Sequence, residues 1–275
     1  MAPSLPPPLD PSARTVFSRD VGPISTTPPA TMGSVIYNVE PKSTVRAGQV
    51  LSAPYVDREG GPRGFGRILK SGDIAGVAEA TERSRFQAYD RVFITPPAGY
   101  IAPEGERYLT IRLGPVIEDQ GQIIIPTGIV EITKAAGSGT AAVAKVVRAF
   151  NEVAATDRLI PLDTAGMGTT VPPVRIADGP STTIRWINGE PVLPSVQSFV
   201  VLGVSSRNGV RMGDEFVIYK PSPKPEDGEL RDPEILIGKA QVVRSTPYGV
   251  TAVILGQAQP AIKEGMSARV TAKMP

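Results

Sequence analysis

The chain is 275 residues long, 41% hydrophobic and 20% charged, with a formal net charge of +2, a composition that supports one large core or two small ones. It contains no Cys and no His, which excludes disulfides, thiolate chemistry, Cys/His zinc sites and every Ser-His or Cys-His nucleophile. The 29 Pro and 28 Gly predict many turns and few long helices, and no run approaches the ~18 apolar residues of a membrane-spanning helix.

Residues 1–34 are rich in Pro, Ser and Thr, with Val16-Phe17, Val21 and Ile24 nearly alone among large apolar groups. Such a stretch buries too little surface to offset its ordering entropy, so it is expected to be an extended arm. Pro6, Pro7, Pro8 and Phe17 are its candidate partner-binding residues, because Pro-rich chain loses little entropy when it lies along a groove. Met1–Pro8 has neither a basic n-region nor an apolar h-region and does not read as a signal peptide.

From Val35 the pattern turns strand-like, through Val35–Val39, Val45–Leu51 and Ala53–Asp57. The loop Gly60-Gly61-Pro62-Arg63-Gly64-Phe65-Gly66-Arg67 follows. A single Arg-Gly segment is weak support for nucleic-acid binding, which is not expected here, and a hairpin or barrel-corner loop accounts for it. Further strand runs are Arg91–Ile94, Arg107–Ile111, Ile125–Ile132 and Val143–Val147; the Ala-rich segment 141–154 is also compatible with a helix.

These runs recur. Gly105–Ile111 has the character of Gly213–Tyr219, Arg91–Ile94 of Phe199–Leu202, and Ile125–Ile132 of Ile235–Val242, at a spacing of 108 to 110 residues. Gly139–Ala144 pairs in the same way with Gly249–Ile254, and Asp157–Ile160 with Gly265–Ala268. The repeat favours strand over helix in 141–147. The reading is all-β: two tandem small antiparallel barrel-like units, residues 35–163 and 164–275, behind a Pro-rich arm of residues 1–34. Closure spares such apolar strands an exposed edge.

Without His or Cys, catalysis would rest on carboxylates, Ser-Lys pairs or Tyr. The acidic pairs Glu104/Glu106, Glu118-Asp119, Asp214-Glu215 and Glu226-Asp227 all sit beside Gly or Pro, as solvated turn carboxylates do. No Asp-x-Asp-x-Asp-Gly calcium loop occurs, Gly137–Thr140 lacks a phosphate-loop ending, and no cofactor is expected. Trp186, with Tyr55, Phe65, Tyr100, Tyr219 and Tyr248, is the candidate aromatic platform for a peptide or glycan. Tyr55, Arg63, Phe65 and Trp186 are the candidate contact residues outside the arm.

The run Val50-Leu51-Ser52-Ala53-Pro54-Tyr55-Val56-Asp57-Arg58-Glu59-Gly60-Gly61-Pro62-Arg63-Gly64, with Tyr89-Asp90-Arg91-Val92-Phe93-Ile94, resembles the region C-terminal to the LysM module in bacterial LysM peptidoglycan-binding proteins. Gly213–Arg269 is similar to the small C-terminal β-barrel of flagellar assembly protein T. The resemblance implies a periplasmic or cell-surface location and a binding or scaffolding role. The chain has no LysM module of its own, so no glycan-binding residue is carried over. The expectation is a non-enzymatic envelope protein that staples other envelope components, or serves as an extrinsic subunit of a large membrane complex such as an energy-transducing or photosynthetic one. Peptidoglycan binding and a carboxylate-dependent glycan-active enzyme are the alternatives.

Overall fold

The computed structural model describes residues 45–71, 84–163, 171–222, 233–259 and 262–275, so the arm, Val35–Val39 and Glu226-Asp227 lie outside them. Lys42–Pro275 is one compact unit. In chain order it contains a short helix α1 (Ala47–Ser52) and β1 (Tyr55–Asp57), β2 (Gly66–Ser71), β3 (Arg85–Phe86), β4 (Arg91–Thr95), β5 (Arg107–Ile117), β6 (Gly121–Lys134), β7 (Ala142–Ala149), β8 (Val153–Ala154) and β9 (Arg158–Pro161). The second half contributes β10 (Val174–Arg175), β11 (Ser181–Ile187), β12 (Phe199–Leu202), β13 (Glu215–Lys220), β14 (Ile235–Ser245), β15 (Val250–Gln257) and β16 (Ser267–Lys273).

The protein is all-β, built on two closed six-stranded antiparallel barrels. The first closes in the order β6-β5-β9-β2-β4-β7, with β1 added to β6. The second closes as β14-β13-β16-β11-β12-β15, with β10 added to β16. Replacing each strand by its repeat counterpart turns one order into the other, so the duplication extends to topology. It also extends to irregularities. The bulge at Thr110/Ile111 recurs at Ile218/Tyr219, and that at Ile68/Lys70 recurs at Ile184/Trp186. Two bulges between β6 and β7, at Ile129/Val130 and Ile132/Lys134, recur between β14 and β15 at Lys239/Ala240 and Val242/Arg244. A bulge re-aims the strand and raises its local twist, and a small barrel needs that at its corners.

The turns repeat as well. Gly105 donates to the Ile132 carbonyl and Gly213 to the Val242 carbonyl, both at 2.8 Å. Both glycines have positive φ, 85° and 94°, where a side chain would be strained. Tyr89 and Gln197 are likewise counterparts, donating to the Val146 and Ile254 carbonyls.

Two sequence readings need correction. Ala47–Ser52 is helix rather than strand: the Arg46 amide donates to the Gln49 side chain, and Pro54 forces Ala53 out of helical geometry, limiting the helix to six residues. So short an apolar run carries no decisive period. The repeat alignment also slips at two places. β7 and β15 correspond as Ala142 to Val250, two residues from the match through Gly139 and Gly249, which leaves the same side chains inside. Leu159 corresponds to Ala268 rather than Ser267, and that one-residue shift puts both buried residues on the inner face.

The first interior holds Ile68, Val92, Ile94, Tyr108, Val130, Val146 and Leu159. The second holds Ile184, Val200, Leu202, Phe216, Ile218, Val242 and Ile254.

Candidate interaction surfaces

β5 and β6 run 11 and 14 residues, against six and 11 for their counterparts β13 and β14, so among the described residues the β5–β6 hairpin extends as an arm beyond the wall of the first barrel. The arm meets the outer wall of the second barrel. Ile117 and Ile123 pack there with Val56, Trp186 and Val201 in one buried cluster, with Tyr248 and Ile125 at its margin. A second cluster brings Val45, Val50 and Ala53 against Val243, Val253 and Phe199. The segment 45–57 is therefore a wedge between the barrels. Strand alternation makes this possible: Tyr55 packs with Leu109, Ile111, Ile124 and Ile129 of the first barrel, while the next residue, Val56, points into the seam with the second.

Polar contacts fix the register. Gln120 at the arm tip donates to the Leu202 and Tyr248 carbonyls at 3.0 and 3.3 Å. Thr246 donates its hydroxyl to the Val56 carbonyl at 2.7 Å, and Gln49 donates to the Gln197 side chain at 2.8 Å. A Cβ on Gly249 would lie 2.4 Å from Val56 Cγ2, so the β14–β15 turn approaches β1 at backbone distance. The Arg244 guanidinium lies 3.9 Å from the Tyr55 ring centroid. Burial pushes the Tyr55 hydroxyl up to about 12 against the nearby Arg244 charge, and burial lowers Arg244.

A cleft of about 350 Å³ opens beside the arm, between Val116–Glu118 and Thr183–Trp186, with Glu264 at its edge. The Glu264 carboxylate accepts from the Ile187 amide at 3.1 Å. The other acidic pairs divide by burial. Asp214 is fully buried and accepts from the Arg211 and Met274 amides, while Glu106 accepts from the Tyr108 hydroxyl at 2.6 Å. Among the described residues no group of three or more carboxylates is placed to hold a metal.

The candidate contact residues are thus distributed. Tyr55 and Trp186, 7% and 6% exposed, are covered by the chain itself, Trp186 in the seam and Tyr55 against the first barrel beneath Arg244, so neither is an open platform. Arg63 is exposed and Phe65 half-buried, on the loop between β1 and β2, and Phe65 carries the Arg158 and Arg67 guanidiniums at 4.0 and 5.9 Å from its ring centroid. Pro6, Pro7, Pro8 and Phe17 lie outside the described residues. The structure adds Gln120, Val201, Thr246 and Gly249 to the seam, which motif reading had no means to find. An exposed apolar set, Val192, Leu193, Val196, Ile235 and Leu236, marks the end of the second barrel away from the β14–β15 turn. The sequence matches no protein-family model, and no curated protein matches it.

Proposed function

We infer that the protein is a non-enzymatic structural and interaction protein of the cell envelope, whose two barrels form one body that binds or staples other components at fixed spacing. The observation that carries this reading is the seam. Trp186, Val201, Val243 and Val253 face outward from the second barrel yet are buried, so the barrels share a core and are not strung on a free linker. A body of that kind suits holding partners in register better than closing around a substrate. The envelope location rests on the resemblance of Val50–Gly64, Tyr89–Ile94 and Gly213–Arg269. Its more particular form is an extrinsic subunit of a membrane complex, attached through residues 1–34 and the barrel surfaces.

Cell fractionation tests this. The tagged full chain should sediment with the envelope and be released by high salt or urea without detergent, and deletion of residues 1–34 should lower the bound fraction. Full recovery in the soluble fraction would reject the reading.

One observation favours a second reading, a carboxylate-dependent glycan-active enzyme: Glu118 and Glu264 line the same cleft, and glycosidases work with a pair of carboxylates flanking the scissile bond. Turnover of cell-wall fragments that Glu118→Gln and Glu264→Gln each abolish would establish it.

A further inference from the structure

Arg67 on β2 and Arg158 on β9 are directly opposite each other in the ladder. Like charges in that position destabilise a sheet, and the same outer row offers no relief. Arg67 is flanked on its other side by Thr95, and Arg158 by Ile111. Among the described residues no carboxylate forms an ion pair with Arg63, Arg67 or Arg158. The nearest in sequence are occupied or turned elsewhere: Asp157 takes Arg112 at 3.1 Å and the Ala154 amide at 2.9 Å, Asp57 takes the Arg58 amide, and Glu59 is exposed on the loop.

The cations are nevertheless held in place. The Phe65 ring carries Arg158 at 4.0 Å and Arg67 at 5.9 Å, and Arg158 donates to the Gly60 carbonyl at 3.4 Å. A guanidinium resting its face on a ring keeps N–H edges available for an acceptor. Arg63, two residues before Phe65, adds a third cation, exposed as Arg67 is, while Arg158 is half-buried. A planar carboxylate is satisfied by one guanidinium fork, whereas a tetrahedral oxyanion offers acceptors in several directions and can take two or three.

We propose that Arg67 and Arg158, organised on Phe65, together with Arg63 on the same loop, form a binding site for a phosphate group, free or carried by an anionic polymer or lipid headgroup. This stands apart from the scaffold reading and does not need it. Bound phosphate would convert the Arg67–Arg158 repulsion into a bridge across the ladder, and the site's affinity would fall with ionic strength.

The full chain is titrated calorimetrically at low salt with inorganic phosphate and with short-chain polyphosphate, and is sedimented with phosphatidylglycerol or phosphatidylcholine vesicles. Saturable binding of at least one phosphate probe is expected, at least tenfold weaker in R67Q/R158Q and unchanged in the distant control R207Q. Free phosphate, polymer or phosphatidylglycerol as the preferred probe identifies the source. A thermal shift guards against misfolding: without ligand, R67Q/R158Q should melt at or above wild type, and only wild type should gain on adding the probe. No saturable binding by wild type, or equal binding by R67Q/R158Q, overturns the proposal.

Discussion

Gly249 and Val56 belong to different barrels, and their contact measures how tightly the barrels are joined. In Gly249→Ala the new Cβ would sit 2.4 Å from Val56 Cγ2 and 2.9 Å from Val56 Cβ, well inside van der Waals contact. The φ of Gly249 is not positive, so the backbone tolerates Ala and the cost is overpacking, about 1–3 kcal/mol. Val56 is 1% exposed; Val56→Ala removes two buried methyls, about 1.6 kcal/mol by transfer and more with the cavity left behind. In the double variant the Cγ2 obstruction is gone and the new methyl partly fills the space, while the approach to Cβ retains some strain. The double variant should therefore cost less than the sum of the singles by about 1 kcal/mol or more, within the coupling range of contacting residues. Urea unfolding of the four proteins, followed by circular dichroism, gives this energy directly. Additivity to within about 0.5 kcal/mol, the behaviour of distant sites, would mean that β1 and the β14–β15 turn are not in contact.

Three further outcomes follow from the same packing. Trp186 is the single Trp and lies buried in the seam, so native emission should be blue-shifted and poorly quenched by acrylamide; solvent-like emission would contradict the seam. Asp214→Ala leaves the Arg211 and Met274 amides without their acceptor and should cost about 1–3 kcal/mol for each donor stranded in urea unfolding, whereas exposed Glu104→Ala should be near neutral. Tyr55, held up to about 12 by burial, keeps in the folded state a proton that the unfolded chain releases near 10. Its contribution is thus complete below pH 10 and lost between about pH 10 and 12, about 2.7 kcal/mol for two units. Tyr108, raised by burial and by Glu106, acts in the same direction. Tyr55→Phe should therefore flatten the alkaline decline without removing it, and an unchanged decline would refute the assignment.

The barrels were legible because their signals are local: β-branched runs, Gly-acid corners, and a spacing that returns the same pattern after about 108 residues. The seam was not legible from either copy alone, since an outward Val reads like any strand residue. Comparing the copies position by position does disclose it. Trp186 stands where the first barrel has Lys70, Val253 where it has Lys145, and Val243 where it has Thr133. At these three positions the second barrel is apolar where the first is polar, while the fourth, Val201, corresponds to the likewise apolar Phe93. Short elements were the other loss: six helical residues at Ala47–Ser52 are too few for periodicity to separate from a strand, and only the Pro54 stop and the Gln49 contact mark them. The Arg67–Arg158 pairing was invisible for a different reason, since residues 91 apart become neighbours only when β2 and β9 close the barrel.

Both barrels lie within one compact unit, and the seam holds them as one body. Because the chain has no native Cys, labels can be placed cleanly at exposed strand positions in each barrel, by Thr95→Cys and Lys220→Cys. Pulsed electron–electron distance measurement on the spin-labelled double variant should give a single narrow distribution, unchanged by salt. A broad or bimodal distribution would contradict the shared core and return the molecule to two barrels on a tether.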